Sequence, residues 1–284
     1  MMTEHVLYSG GGVGLLRYDH PRDCAHSDPS EEVSTWHAVS FIERGRFDLF
    51  HGRRRWRIDA ATLFVTEPGF AYRCEHDDAH PDDVSLSLHF EPEAVESIAL
   101  AIGRRPPLGR PVARRTNRLA YLRHRLLAAA CGPEAATAVP AVAGEILTAL
   151  GDAGQDGNTQ APLSEGHISR YARRVDAARA LYAARHAEPL SLEETALAVG
   201  MSPFHFSRVF RALVGVPPHR YLRTVRLSQA AARLRAGAGV TDTCQAVGFN
   251  NLSHFIRTFH AAYGVPPSRV RQSKKPQARP ATRV

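Results

Sequence analysis

Up to about Phe90 the chain alternates short apolar runs with turn residues. "WHAVSFIERGRFDLFHG", "RWRIDAATLFVTEPG" and "VSLSLHFEP" read as strands, punctuated at Glu43-Arg44-Gly45, Gly52 and Pro68-Gly69. Several short strands spaced in this way predict a small β-sandwich or barrel. From Asn117 the period becomes helical. "NRLAYLRHRLLAAACG" places Leu119, Leu122 and Leu126 on one face with Leu127 beside them, and stops at Gly132. "EAATAVPAVAGEILTALG" predicts a second helix, weakened in its middle by Pro140 and Gly144. Residues 151–166, "GDAGQDGNTQAPLSEG", have no apolar period and read as a linker. Everything beyond them has helical spacing, beginning with "HISRYARRVDAARALYAARH".

That helical part contains a repeat. "GMSPFHFSRVFRALVGVPP" (200–218) returns as "GFNNLSHFIRTFHAAYGVPP" (248–267), with Arg208 and Arg257 aligned at an offset of 49. His205, Phe206 and Phe210 then meet His254, Phe255 and Phe259, and both copies end in Gly-Val-Pro-Pro. Upstream, "TALAVG" meets "TCQAVG" after a slip of one residue. Two copies of one structural unit explain an echo of this length.

Each copy describes two short helices joined by a tight turn. Ser191 and Glu194 form a capping-box pattern for a helix ending at Gly200; Ser202 caps the next, with Pro203 at its first position. Phe206, Val209, Phe210 and Leu213 share one side of that helix, and Phe204, Ser207, Arg208 and Arg211 the other. A basic, polar face opposite an apolar one suits a helix that reads the major groove. In the second copy Phe255, Phe259 and Ala262 form the expected core stripe. Leu252, Ser253, Ile256, Arg257 and His260 face outward, and Asn250 or Asn251 supplies the cap. Between the copies, "PPHRYLRTVRLSQAAARLRA" (217–236) has proline only at its start and an apolar side of Tyr221, Val225, Leu227 and Leu234. Twenty helical residues span about 30 Å, close to the ~34 Å turn of B-DNA. A stiff helix of that length can place two reading helices in successive major grooves.

Charge sharpens this division. From Gly166 onward there are 19 Lys and Arg against 5 Asp and Glu, a balance of +14. The preceding residues carry 17 against 23, or −6, and together they give the overall +8. A basic C-terminal part on a mildly acidic N-terminal one points to a polyanion partner. No stretch is apolar enough to span a bilayer or serve as a secretory signal, and the four widely spaced cysteines read as free thiols. The expectation is a cytoplasmic protein with no membrane partner.

The second copy, "AVGFNNLSHFIRTFHAAYGVPPSRVR" (246–271), carries a resemblance. Gly248-Phe249, Phe255, Arg257, Phe259, Gly264 and Pro267 at these spacings resemble the DNA-binding domain of the AraC/XylS family of bacterial transcription regulators, over residues 166–272. His254 stands where that family usually has an aromatic residue, and Ile256 where a small polar one is common. The strand pattern of the first half is similar, more loosely, to the cupin-type sensor domain of such regulators. The implied fold is an N-terminal β-rich, cupin-like barrel with a helical hairpin, followed by an all-α domain of two helix-turn-helix units joined by a linker helix. The expected domains are residues 1–110 (sensor), 111–150 (helical pair, dimerisation), 151–166 (linker), 167–272 (DNA binding) and 273–284 (basic tail). The resemblance implies sequence-specific binding to double-stranded promoter DNA, with RNA polymerase as a partner, a small-molecule effector in the N-terminal domain, and homodimerisation. No reaction and no cofactor is called for.

Candidate DNA contacts are Phe204, Ser207, Arg208, Arg211, Leu252, Ser253, Ile256 and Arg257. Arginine donates bidentately to guanine or clamps a phosphate, and an exposed aromatic such as Phe204 meets a thymine methyl. The blander readings are a solvated arginine paired with acids and a phenylalanine packed on the linker helix. Cys24, His26, Cys74 and His76, with His80 nearby, form two Cys-x-His pairs that a folded barrel could bring together on a metal or effector. Their spacing matches no standard zinc module, so unrelated turn residues are the plainer reading. Two other functions compete: a metal-dependent cupin enzyme or metal or thiol sensor with a DNA-binding appendage, and a basic protein that compacts DNA without sequence preference.

Overall fold

The computed structural model describes residues 3–20, 30–76, 83–103, 106, 108–152 and 161–272, which fall into two compact units, 1–172 and 173–284. The first unit holds ten strands: β1 (Thr3–Gly10), β2 (Val13–His20), β3 (Glu32–Val33), β4 (His37–Arg44), β5 (Phe47–His51), β6 (Arg54–Ile58), β7 (Thr62–Thr66), β8 (Ala71–His76), β9 (Asp83–Phe90) and β10 (Val112–Arg114). It also holds helices α1 (Pro92–Ile102), α2 (Asn117–Ala130) and α3 (Ala135–Asp152). The strands build two antiparallel sheets, ordered β1-β2-β9-β4-β7-β10 and β3-β8-β5-β6. This is the expected cupin-like, β-rich domain, but it is not a closed barrel: the larger sheet extends outward through the β1–β2 hairpin and β10.

The turn of that hairpin explains why it forms. Gly10 pairs with Val13, leaving Gly11 and Gly12 as a two-residue loop with φ of 60° and 73°. Both central residues of such a turn need positive φ, which glycine adopts without steric cost.

Strand alternation divides the larger sheet into two chemically different faces. Leu15, Val39, Phe41, Leu63, Leu86 and Leu88 point to one side and join a core with α2 and α3, including Leu119, Leu122, Val142 and Ile146. Thr116 caps α2 by accepting from the Leu119 N–H at 3.2 Å. Pro140 is accommodated inside α3, which runs unbroken, and its ring lies close to Gly11. The other face turns toward the smaller sheet. There Ile42 and Phe64 pack with Phe47, Leu49 and Ile58 in a second, smaller core.

The second unit is helical. α4 (Glu165–Ala184) leads into it, followed by α5 (Leu192–Ala198), α6 (Pro203–Val214), α7 (Pro218–Arg235), α8 (Val240–Ala246), α9 (Leu252–Tyr263) and α10 (Pro267–Gln272). α5–α6 and α8–α9 are the two helix-turn-helix units. α7 belongs to both cores. Tyr221, near its start, packs on Phe210 at 5.4 Å and on Tyr182 at 6.1 Å, while Arg179 donates to its hydroxyl at 3.0 Å. Leu227, Ala230, Ala231 and Leu234, further along, pack with Cys244, Val247, Phe249, Phe255 and Phe259. Each fully buried large side chain contributes about 1.5–3 kcal/mol. α7 therefore cannot detach from either unit cheaply.

Two expectations change. Ala262 is exposed and takes no part in the core stripe; Tyr263 instead lies against Phe259 at 4.6 Å. α7 has 18 residues, hence a length of about 27 Å rather than 30 Å, because the proline at its start and the turn after Arg235 trim the predicted run. No helix among the described residues is long and apolar enough to cross a membrane.

Gly248 marks a close approach. Its φ is +81°, and a β-carbon there would lie 2.6 Å from the Ala187 carbonyl oxygen, an overlap that backbone cannot relieve cheaply. Gly264, at φ +71°, has open space around it. Gly264→Ala is expected to cost about 1–2 kcal/mol, the ordinary left-handed penalty. Gly248→Ala is expected to cost distinctly more, read as a larger fall in urea midpoint in the full chain. Equal shifts would refute the close-packing account.

Candidate nucleic-acid interface and ligand cavity

The two reading helices are built alike. Each begins from an extended N-cap residue and ends at a left-handed glycine, Gly215 (φ 89°) and Gly264 (φ 71°). Their caps differ in detail. The Asn251 side chain accepts from the His254 N–H at 2.8 Å, which settles the choice between Asn250 and Asn251. Ser202 occupies the N-cap of α6 but makes no side-chain cap bond; the missing donor at Pro203 reduces what needs capping. Upstream, the Ser191–Glu194 capping box is present in both directions, at 2.8 and 3.0 Å.

On α6, Phe206, Val209, Phe210 and Leu213 are buried, while Phe204, Arg208 and Arg211 are exposed and Ser207 is half-buried. Phe204 is 80% exposed, so it does not pack down on the linker helix. Arg208 lies 3.4 Å from the His205 ring. On α9, Phe255 and Phe259 are buried, and Leu252, Ser253, Ile256 and Arg257 are exposed. At equivalent positions the helices present Phe204 or Ser253, Ser207 or Ile256, Arg208 or Arg257, and Arg211 or His260. The scaffold is duplicated while the outward chemistry is not, so two different base sequences suit the two helices.

Two contacts fix the helices to one frame. Arg226, midway along α7, donates to the His186 carbonyl at 2.7 Å and the Glu188 carbonyl at 2.8 Å. It thereby holds the loop before α5 on the linker helix. Gly248, in the turn before α9, lies against Ala187 of that same loop. A single arginine inside a run of basic residues carries no signal that distinguishes it from a solvated one.

The first unit contains a cavity of about 300 Å³ between its sheets. The inward row of β9, Asp83, Ser85, Ser87 and His89, forms one wall, and Ser40 and Ile42 of β4 continue it. Within this polar row Asp83 and Ser87 are each only 3% exposed, while Ser85 and His89 are half-buried. Ser40 and Ser87 hydrogen-bond at 2.8 Å, and the His89 ring lies 3.0 Å from Ser87. His76 approaches Asp83 at 3.0 Å. Facing them are aromatic rings: Phe64 meets Tyr72 edge-on at 5.1 Å, Phe47 lies 5.5 Å from His76, and Trp36 stacks on His89 at 5.9 Å. Burial pushes the Tyr18 hydroxyl up to about 12, raises the Tyr72 hydroxyl and the Cys74 thiol well above their usual ranges, and holds His89 below its own. These groups are therefore neutral, and Cys74 is no thiolate.

Cys24, His26 and His80 lie outside the described residues, and among the described residues no three His, Cys, Asp or Glu side chains group to hold an ion. Cys74 and His76 are both on β8 at the cavity, beside Phe47 and Asp83. Cys244 is buried in the second core, where its thiol donates to the Phe249 carbonyl at 3.4 Å.

The first unit thus holds a ligand-sized cavity, and the second holds paired helix-turn-helix units with basic outward faces. The AraC-like ligand binding domain matches residues 25–170, and a helix-turn-helix domain matches residues 195–273. The chain belongs to the AraC family of transcription regulators, with an N-terminal ligand-binding domain and a C-terminal DNA-binding region. Among solved structures, it is similar to an AraC-type regulator from Chromobacterium violaceum (26% identity over 37% of this chain and 95% of that one, TM-score 0.35). It is also similar to a probable AraC family regulator from Rhodopseudomonas palustris CGA009 (28%, 37% and 99%, TM-score 0.35). The unsaturated fatty acid bound wild-type ToxT from Vibrio cholerae strain SCE256 matches along most of both chains (9% identity, 92% and 95%, TM-score 0.34).

The difference between the caps is testable. Asn251→Ala is expected to destabilise the full chain by about 1 kcal/mol, the usual value for a lost N-cap bond. Ser202→Ala is expected to cost no more than a few tenths. Equal losses in denaturant unfolding would contradict the assignment.

Proposed function

We propose that α6 and α9 enter successive major grooves on one face of promoter DNA, reading two dissimilar half-sites, and that an effector in the sheet-lined cavity controls this binding. The observation that carries the proposal is the shared α7, which packs into both cores and so keeps both reading helices in one frame. Phe204, Ser207, Arg208 and Arg211 serve one half-site, and Leu252, Ser253, Ile256 and Arg257 the other. The arginines address guanine edges or phosphates, and Phe204 and Ile256 address thymine methyls. The α2–α3 pair serves homodimerisation, and bound promoter brings the protein to RNA polymerase in the cytoplasm.

Effector and DNA affinities are reciprocally linked. A structural route supports the coupling. β4, whose Ser40 and Ile42 line the cavity, continues to Glu43, which pairs with Arg123 of α2. Arg123 also pairs with Glu165, the first residue of α4, at 3.3 Å, and Arg115 holds the same carboxylate.

Affinity selection of random duplexes tests the reading. Arg257→Ala is expected to weaken binding to the preferred site by about 1–3 kcal/mol and relax preference in one half-site only, with Arg208→Ala acting on the other. Uniform loss on every sequence would reduce both to phosphate contacts. For the cavity, Ser87→Phe is expected to abolish the response to effector in a reporter strain while leaving DNA affinity unchanged. An intact response would place the effector elsewhere.

A further inference from the structure

The C-terminal unit has a cleft of its own, about 600 Å³, lined from both helix-turn-helix units and from the helix that joins them. On α7, Leu222, Arg223 and Arg226 follow His219 by three, four and seven positions, so the four share one side of that helix, and all four line the cleft. The segment leading into α5 contributes Leu190 and Ser191 to the walls, and the turn before α9 contributes Phe249 and Asn250. The cleft is continuous with the reading faces. Ser207, itself a candidate base contact, lines it from α6, and His254, which follows Ser253, lines it from α9.

Its charge has one sign. Two arginines and two histidines line it, and none of the five acidic residues from Gly166 onward does. Glu188 accepts from Arg185 at 2.8 Å, and Glu194 accepts from the Ser191 N–H at 2.8 Å. Asp176, Glu193 and Asp242 lie on α4, α5 and α8, outside the lining. The cationic and polar groups differ in what they can still bind. Arg226 is committed to the His186 and Glu188 carbonyls. Arg223, His219 and Asn250 are exposed, and among the described residues Arg223 makes no ion pair. Asn251 caps α9, so the Asn250 amide is not spent on the helix end.

Two helices in successive major grooves on one face leave a stretch of duplex between them. That stretch turns its minor groove, and the phosphate strands flanking it, toward the protein. Cations on a floor with apolar walls such as Leu190 and Phe249 suit phosphate oxygens and the deoxyribose rings that link them.

Resting on the reading of α6 and α9 proposed above, we infer that this cleft holds the sugar–phosphate backbone between the two half-sites. Arg223 donates to a phosphate there, with His219 and Asn250 as flanking donors. These contacts fix the register of the frame on DNA and carry no sequence information.

The test uses the full chain and its selected duplex, with single uncharged methylphosphonates placed in turn through the segment between the half-sites. At one or two positions the replacement is expected to weaken binding at least about threefold, and Arg223→Gln is expected to remove the sensitivity at those positions. The variant is also expected to lower the slope of log affinity against log salt by about 0.9. Its loss between about 50 and 200 mM salt is then about 3.5-fold smaller, with base preference unchanged at both half-sites. Central methylphosphonates without effect on the unaltered protein would overturn the inference, however the variant behaves, and leave the cleft to a ligand other than DNA. The half-site preferences set by Arg208 and Arg257 would still stand. Central sensitivity that persists in Arg223→Gln, or a changed base preference in that variant, would overturn Arg223 as a backbone contact. Selection that returns no paired half-sites would remove the reading of α6 and α9, and this inference with it.

Discussion

Everything the C-terminal unit can do depends on one helix packing into two cores at once. Tyr221 is locked among Tyr182, Phe210 and Arg179, and about two turns later Leu227 opens the row that seals against Phe255 and Phe259. Rotating α7 about its axis would strip one core to improve the other. Because interiors are close-packed and relax little, such a helix transmits position rather than absorbing it. Arg226 and Gly248 reinforce the constraint through a single loop, residues 186–188. The reading helices thus gain their geometry from contacts that never touch DNA.

The N-terminal unit uses strand alternation for a different purpose. On β9, Leu86, Leu88 and Phe90 go to the helical core, while Asp83, Ser85, Ser87 and His89 go to the cavity. Both sets are shielded, so the polar row is not a solvated face. Its desolvation is tolerated because its members bond to one another and to Ser40 and His76, and it leaves a concave surface of defined polarity. A site assembled on strands in this way is held more rigidly than one on loops.

Much of this was legible in the sequence, for identifiable reasons. The repeat exposed the two helix-turn-helix units because duplicated cores repeat their Phe positions, and the capping box at Ser191–Glu194 is a local device with a local signature. The "VSLSLHF" alternation identified a strand, but alternation alone does not say whether the polar face meets water or a cavity; only the second sheet decides that. The β1–β2 hairpin lies outside the strands that the apolar pattern identifies, although Gly11-Gly12 is a turn signal. Ala262 was misplaced because the aligned Leu213 is buried, and Tyr263 takes over the packing in the second copy. The role of Arg226 and the close approach at Gly248 rest on contacts with residues some 40 to 60 positions away, which no periodicity encodes.

The central claim is that one rigid frame delivers two probes to adjacent grooves. Hydroxyl-radical footprinting of the full chain on its selected duplex tests this most directly. The account predicts two protected patches on one face of the DNA, centred about 10–10.5 base pairs apart. Protection of a single groove, or of patches on opposite faces, would contradict it.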